Sequence, residues 1–476
     1  MKNTKVTFTN SQKRLLEDIK DWYNNNKSLS YTISGEAGTG KSFIVKYIIK
    51  ELFKNKRICV SAPTHKAVRV IEKFTGVKGH TLHSLHGLRP NFALENFNID
   101  KLKFETLGSN KFINFNIIIV DEASMISPDL KKLNDIRSIQ YNTKIIYIGD
   151  KLQLPPVMNH SIKLSPVFNN EYGTELVDVV RQSLNNPLHK LFELLRYDVE
   201  HNTAKFINYI KSHKTNINNN VGYEMVDGII FSKLVVDAFK SDKYKKDVNS
   251  YKLCAYTNDR INSWNRYIRG KLTESKDILV KNDILTGYQT IVDEFISPII
   301  INSNDYIVID VYKKTSDYKF DMFVATLKDL DTGFIHTVNV VDHNSKTFVN
   351  YYNKLYQLHH NALYGDLIKK GELWKMYYNF KHLYLTMIDF ELFNNRKQKV
   401  AFVKKELDYG YAITTHKAQG SSIDTVFIDS LDIIYYNGNK RSPRTNTNNN
   451  PNVIETRNRL LYTGLSRAKS KAIILY

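Results

Sequence analysis

Eight consecutive residues, Gly35-Glu36-Ala37-Gly38-Thr39-Gly40-Lys41-Ser42, match G-x-x-x-x-G-K-[ST], the spacing of a loop that cradles phosphates. Glycines let successive backbone N–H groups turn inward on the β- and γ-phosphates, and the helix that follows presents its positive end. Lys41 adds a mobile charge, and the Ser42 hydroxyl can ligate Mg²⁺. A nucleoside triphosphate is the ligand that this chemistry selects. Asp121-Glu122 close the apolar run Ile117-Ile118-Ile119-Val120; beside a phosphate loop, Asp121 would hold Mg²⁺ through its water shell and Glu122 would polarise the attacking water. Gln153, in Gly149-Asp150-Lys151-Leu152-Gln153-Leu154-Pro155-Pro156, can hydrogen-bond the γ-phosphate or the hydrolytic water and report its presence. Phosphoanhydride hydrolysis builds negative charge on equatorial oxygens, which arginine is suited to clamp. Arg181, in Val179-Val180-Arg181-Gln182, and Arg467, in Thr463-Gly464-Leu465-Ser466-Arg467-Ala468-Lys469, are the two candidates. If both reach the nucleotide, the triphosphate bridges two domains and its hydrolysis changes their separation.

The elements that must position these residues follow from periodicity. Tyr31-Thr32-Ile33-Ser34 reads as a strand before the loop, and Ile44, Ile48, Ile49 and Leu52 recur at helical spacing after it. Further strands are predicted at Arg57 to Ala62, Asn116 to Asp121 and Lys144 to Asp150, alternating with amphipathic helices, so residues 28–182 imply a parallel sheet covered on both faces. Ligands then bind at the carboxyl ends of the strands, where the phosphate loop, Asp121-Glu122 and Gly149-Asp150 all fall. A polar, aromatic-dotted insert from Gly87 to Asn114 interrupts the pattern. A second α/β region starts near 183, includes the strand Tyr251 to Thr257, and resumes at Gly410. Between them, Lys281 to Val403 changes to short alternating runs, the pattern of a small antiparallel barrel with a helical, aromatic-rich segment at Leu373 to Met387. Arg444 to Asn452 and Thr215 to Asn220 read as polar loops.

At 476 residues the chain exceeds one hydrophobic core, so about three or four structural units are expected. Lys+Arg 68 against Asp+Glu 48 gives 68 − 48 = +20, and the pI is near 9.4, a balance that suits a polyanionic partner or simple solubility. Aromatic residues, with 30 Tyr and 24 Phe, supply faces on which bases can stack, though most will be core. The two cysteines, Cys59 and Cys254, each sit in an apolar β-like run and read as buried small hydrophobes of a reducing compartment; no metal cluster is implied. The start of the chain lacks an apolar secretion signal, and no apolar run approaches the ~18 residues that span a bilayer. A cytoplasmic protein without a membrane partner is expected, in the host cell if the chain is phage-encoded.

Seven segments taken in order resemble the motif set of superfamily 1 helicases. They are Gly35 to Ser42, Ser61-Ala62-Pro63-Thr64-His65-Lys66-Ala67, Thr81-Leu82-His83-Ser84-Leu85, Asp121-Glu122-Ala123-Ser124-Met125, Gly149 to Val157, Thr414-Thr415-His416-Lys417-Ala418-Gln419-Gly420 and Tyr462 to Lys469. Wording and spacing are most similar to the RecD-like branch that moves 5′ to 3′, and within it to the Dda-like phage enzymes, including Lys252-Leu253-Cys254-Ala255-Tyr256-Thr257-Asn258.

The resemblance implies a fold of two RecA-like parallel-sheet domains, with a small β-hairpin insert in the first and an SH3-like barrel plus helical insert in the second. Residues 1–86 and 115–182 would form the ATP-binding domain and 87–114 its pin; 183–280 and 404–476 would form the second domain, and 281–403 its barrel and tower. It implies that Gln12 reads adenine, so that ATP with Mg²⁺ is the fuel. Pro63, Thr64, His65, Thr81, His83, Thr415, His416 and Lys417 would line a single-stranded DNA track, and Gln419 and Gly420 would link it to the nucleotide. Short hydroxyls, backbone N–H groups and a few cations grip phosphates without reading sequence; the histidines alone would equally serve as structural groups. Phe92, Phe97 and Phe104 fall where relatives carry the pin that splits duplex, and each could instead pack on its own domain. The implied partners are single-stranded DNA and its junctions with duplex, together with a single-stranded DNA-binding protein or replication proteins. A monomer is expected, and the chain's stop at Tyr476 leaves no tail for a partner-binding module. Two other readings stay open on these residues: a RecD-like subunit of a nuclease complex, and an ATP-switched clamp that binds nucleic acid without translocating. An RNA track stays open as well, because phosphate-gripping groups do not discriminate sugars.

Overall fold

The structure is a computed structural model that describes residues 7–25, 28–88, 110–156, 164–178, 186–293, 297–366, 368–394, 396–435 and 451–476. The chain divides into two compact units, one made of Met1–Ser263 with Ala412–Tyr476 and the other of Trp264–Tyr411.

The first unit holds two sheets. In the first, β1 (Ser30–Gly35), β2 (Ile58–Ala62), β3 (Gly79–Thr81), β4 (Ile117–Val120), β5 (Lys144–Gly149) and β6 (Gly173–Leu176) lie in the order β3-β2-β4-β5-β1-β6, every pair parallel. Its central strands are apolar at nearly every position because both faces are covered. Along β4, Ile117 and Ile119 pack with Ile44, Ile33 and Leu15 on one side. Ile118 and Val120 pack with Leu130, Leu133 and Tyr147 on the other. β5 lies between β1 and β4, and the register pairs Ser34 with Gly149 and Val120 with Tyr147. The phosphate loop, Asp150 and Asp121 therefore leave the sheet along one rim.

The second sheet runs Ala412–Thr414, Tyr251–Ala255, Ile423–Asp429, Ala468–Leu475, Val221–Val226, all parallel, with Thr215–Asn218 antiparallel on its edge. The helices Leu188–His201 and Pro451–Leu465 pack on it through Leu191, Leu195, Leu460 and Leu461. Thr215 to Asn220, expected as a loop, is instead one arm and the turn of a hairpin. Asn219 and Asn220 take φ of 49° and 64°, the left-handed pair that a two-residue turn demands and that asparagine tolerates.

In the second unit, a six-stranded sheet runs Tyr384–Leu385, Ile335–Val341, Asp321–Asp329, Asp305–Thr315, Ile284–Gly287, Leu407–Tyr409, antiparallel except for its first pair. The helices Phe348–Tyr364 and Lys370–Leu383 pack on it around Phe320, Tyr351, Phe380 and Tyr384. The sheet takes in Leu407–Tyr409, past the end of the alternating sequence pattern, because edge strands of three residues carry too little periodicity to announce themselves. Cys59 and Cys254 are buried free thiols, each pushed up to about 12 by burial. Among the described residues no helix is long and apolar enough to cross a membrane.

Candidate active site

The phosphate loop hangs between the end of β1 and the helix Lys41–Tyr47. Gly40 caps that helix at φ 80°, a conformation that costs a residue with a Cβ, and this lets the backbone turn without a side chain in the loop's mouth. Lys41 folds back over the loop, with Nζ donating to the carbonyls of Gly35 at 2.5 Å and Glu36 at 2.8 Å. Burial pushes its ammonium below the usual lysine range, against the pull of Asp150, Asp121 and Glu122. Gln12 is buried beside the loop; its amide donates to the Thr39 carbonyl at 3.3 Å, and its Oε1 accepts from Thr9 N at 3.2 Å.

Asp121 and Glu122 leave β4 in a strained step. Glu122 has φ 54°, left-handed and costly for a residue other than glycine, and its N–H donates to Asp121 Oδ1 at 2.9 Å. Burial pushes the Asp121 carboxyl up to about 7, the like charge of Glu122 adding to the rise while Lys41 and Arg467 oppose it. A buried carboxyl raised by desolvation and by a neighbouring carboxylate, at the rim of a phosphate loop, is a functional-site candidate.

The second sheet sends its own side chains into this rim. Arg467 places Nη1 3.8 Å from Glu122 Oε1, held by its Nε on the Thr463 carbonyl at 3.2 Å. The Tyr462 hydroxyl donates to Asp150 Oδ2 at 2.7 Å. Arg459 donates to the carbonyls of Lys151 and Gln153, and Gln419 Nε2 donates to that of Leu154 at 3.4 Å. Arg196, on the helix Leu188–His201, pairs with Glu36 inside the phosphate loop itself. The structure thus brings together Gln12, the loop, Asp121, Glu122, Gln153, Gln419 and Arg467. Arg181 lies outside the described residues, as do Phe92, Phe97 and Phe104. Arg196, Arg459 and Tyr462 were not singled out from sequence. For the last two a signal existed: Arg459 and Tyr462 are three residues apart and so share a face of the helix that ends just before Arg467.

The residues expected along the strand track sit at the carboxyl ends of strands in both sheets. Thr64, Thr81 and Thr414 each cap a short helix, accepting from Ala67 N at 3.2 Å, Ser84 N at 3.3 Å and Lys417 N at 3.3 Å. Pro63, His65, His83, His416 and Lys417 are half-buried nearby. His416 is pushed down to about 4 by burial and is a neutral imidazole at physiological pH. Thr415 differs from the rest: its side chain is fully buried and its hydroxyl donates to the Ala255 carbonyl at 3.2 Å, so it braces the strand and presents no group at the surface. Gly420, at φ 71°, lies close to both Ala67 and Glu122: a Cβ there would lie 3.1 Å from the Ala67 Cβ and 3.7 Å from Glu122 Oε1.

Several known proteins are similar to this chain. The matching protein-family description is an AAA domain, over residues 23–159. The "ATP-dependent DNA helicase dda" of Enterobacteria phage T4 is 24% identical over 465 residues, 92% of this chain and 92% of that protein. The "Uncharacterized protein R530" of Acanthamoeba polyphaga mimivirus is 23% identical over 493 residues, 90% of this chain and 94% of that protein. A crystal structure of Pif1 helicase from Candida albicans aligns at 15% identity over 99% of this chain and 95% of that chain, with a TM-score of 0.49. A phosphate loop on one parallel sheet, met at its rim by arginine and glutamine from a second, defines a two-lobed nucleotide hydrolase. Within that class, the chain is similar to the Dda, Pif1 and RecD helicases, over nearly its whole length to Dda and over a shorter stretch to Pif1.

Proposed function

We propose that the protein is an ATP-driven motor that moves along single-stranded DNA, 5′ to 3′, and spends hydrolysis on unwinding duplex or displacing bound protein. The observation that carries this reading is the crossing of the cleft: Arg467, Tyr462, Arg459 and Gln419, from the helix and connections around the second sheet, reach the rim of the first. A fuel molecule bound there is touched by both lobes, so its loss changes how they are held, a hinge motion gated by ligand.

In this reading Gln12 holds the adenine, and Gly35 to Ser42 wrap the phosphates with Lys41 released from the Gly35 and Glu36 carbonyls onto them. Glu122 takes the proton of the attacking water, Gln153 reports the γ-phosphate, and Arg467, with Arg181 as its counterpart, steadies the developing charge. The Ser42 hydroxyl and the Asp121 carboxylate form an all-oxygen donor set that fits a hard divalent cation, and a cation there would offset the burial and the like charge of Glu122 that raise the Asp121 carboxyl. Mg²⁺ bound there would neutralise phosphate charge. The strand passes over Pro63, Thr64, His65, Thr81, His83, His416 and Lys417, with Gln419 and Gly420 linking track to fuel; Thr415 acts from beneath. Residues 1–86 and 115–182 serve as the fuel-binding domain with 87–114 as its pin, 183–280 and 404–476 as the second domain, and 281–403 as its barrel-and-tower insert. The motor works as a monomer in the cytoplasm, on tracks shared with a single-stranded DNA-binding protein.

The direct test is ATP hydrolysis with and without single-stranded DNA, followed by unwinding of 5′- and 3′-tailed duplexes. Stimulation by DNA and unwinding from the 5′ tail alone are expected. Stimulation without unwinding or protein displacement would leave a clamp, and no stimulation at all rejects the motor.

A further inference from the structure

The turn that leaves β5, Asp150 to Leu154, belongs to the first sheet by sequence, and its Lys151 pairs with Glu175 of that sheet, but its backbone carbonyls and its leucines are held by the second lobe. Leu152 and Leu154 are built into the second lobe's apolar core with Leu188, Leu191 and Leu461. Arg459 Nη1 donates to the carbonyl of Lys151 at 2.8 Å and to that of Gln153 at 2.9 Å. The Arg459 side chain is itself aimed by Glu455 Oε1, 3.0 Å from its Nε and one helical turn earlier, and it is only 10% exposed. Tyr462, three residues on, donates to Asp150 Oδ2 at 2.7 Å. In the middle of this grip, Gln153 Oε1 is buried and accepts no hydrogen bond.

One nitrogen bridging two carbonyls two residues apart fixes the backbone between them, and so fixes where the Gln153 side chain points. The same helix, Pro451–Leu465, ends two residues before Arg467. A helix is stiff over this length, so a shift of the turn at Asp150 to Leu154 must move Arg467 against Glu122, and the reverse.

We propose that Arg459 is a positioning residue that couples the γ-phosphate-sensing turn to Arg467, so that the state of the nucleotide sets the engagement of the arginine and, through it, the response of hydrolysis to DNA. This rests on the motor reading above. It assigns the coupling to a residue whose side chain bonds to the Lys151 and Gln153 carbonyls and to Glu455.

The test uses the full chain with Arg459→Ala and Arg459→Lys, and reads binding of a fluorescent ATP analogue, kcat and KM for ATP with and without oligo-dT, and the melting temperature. For Arg459→Ala, analogue binding within about 2-fold of wild type, kcat in the presence of DNA lower by about 10-fold or more, and loss of most of the DNA stimulation are expected. Arg459→Lys should recover much of that loss, because an ammonium can donate to both carbonyls. Wild-type kcat and stimulation in the alanine variant overturn the proposal, as does a loss that tracks weakened ATP binding and is not rescued by lysine. If Arg459→Ala does not fold, Tyr462→Phe removes only the hydroxyl on Asp150 and should lower kcat and stimulation in the same direction by about 3-fold or more; an unchanged profile there overturns it too. Wild-type protein that DNA does not stimulate would instead sink the motor reading itself.

Discussion

The two compact units bury charge in opposite ways. In Trp264–Tyr411 buried charges are met by partners: Lys381 pairs with Glu406, Lys405 with Asp408 and Arg269 with Asp283 at 3.2 Å, while Asp305 and Asp329 accept from the Thr286 hydroxyl and the Asn304 amide. Glu406 is satisfied further by the Thr386 N–H at 2.8 Å and its hydroxyl at 3.1 Å. In the other unit Asp121 and Glu122 lie side by side, the nearest guanidinium, on Arg467, stands 3.8 Å from Glu122, and burial dominates both the raised Asp121 and the lowered Lys41. Complete pairs hold a fold together; crowded like charges are kept at a cost in stability that only a ligand repays. Net charge divides the same way. Residues 264–411 carry 20 Lys+Arg against 18 Asp+Glu, which leaves 68 − 20 = 48 against 48 − 18 = 30 elsewhere, so nearly all of the +20 accompanies the two parallel sheets. The polyanion-seeking surplus and the incomplete charge cluster thus belong to one unit.

This contrast can be broken by exchanging the two kinds of loss. Lys41→Ala should lower ATP turnover by at least about 100-fold while the melting temperature stays near wild type, because the lysine serves a ligand rather than the fold. Lys381→Ala should do the reverse, destabilising the protein by about 3–5 kcal/mol in denaturant titration through the stranded Glu406 carboxylate, with turnover per folded molecule retained. Replacing both partners, Lys381→Met with Glu406→Leu, should recover most of that stability, and a double variant as weak as the single one would deny the pair its assigned role.

A pH titration sharpens the same point. The folded Asp121 carboxyl is raised from 3.8 to about 7, so the native state holds its proton more tightly than the unfolded chain. Its contribution to stability is fully present below about 4 and is lost as pH rises through about 7, so the melting temperature of nucleotide-free protein should fall across that window. Asp121→Asn should flatten the fall; an unaltered slope would show that another group causes it. Smaller effects belong to local devices. Thr64→Ala, which removes the cap of the helix His65–Thr75, should cost about 1 kcal/mol. Lys399→Ala, at the exposed pair with Glu391, should cost less than about 1 kcal/mol.

Features were legible in the sequence where the physics is local. The phosphate loop with the strand before it, and the apolar run Ile117–Val120 that leads to Asp121, need only neighbours along the chain, and both stand where their patterns placed them. Thr415 and the stretch Thr215 to Asn220 were misread for one reason: a buried threonine and an exposed one are spelled alike, and two asparagines make a loop or a tight hairpin according to whether a strand is there to pair. Arg196 carried no spacing that sets it apart from a solvated surface arginine, and Arg459 only its place one turn before Tyr462; the partners of both lie far away in the chain.

The sequence by itself determined the chemistry of the fuel site, since glycines, a lysine and paired carboxylates at fixed spacing dictate what a phosphate would meet. The sequence named Arg467 and Gln419 among the second-lobe groups; the tertiary structure alone added Arg459, Tyr462 and Arg196 to them. The helix Pro451–Leu465 and the turn at Asp150 are more than three hundred residues apart along the chain, and only the packing of Leu152 and Leu154 into the other lobe brings Arg459, Tyr462 and Arg467 to the rim. Hydrogen bonds across a cleft depend on distances that no local pattern encodes.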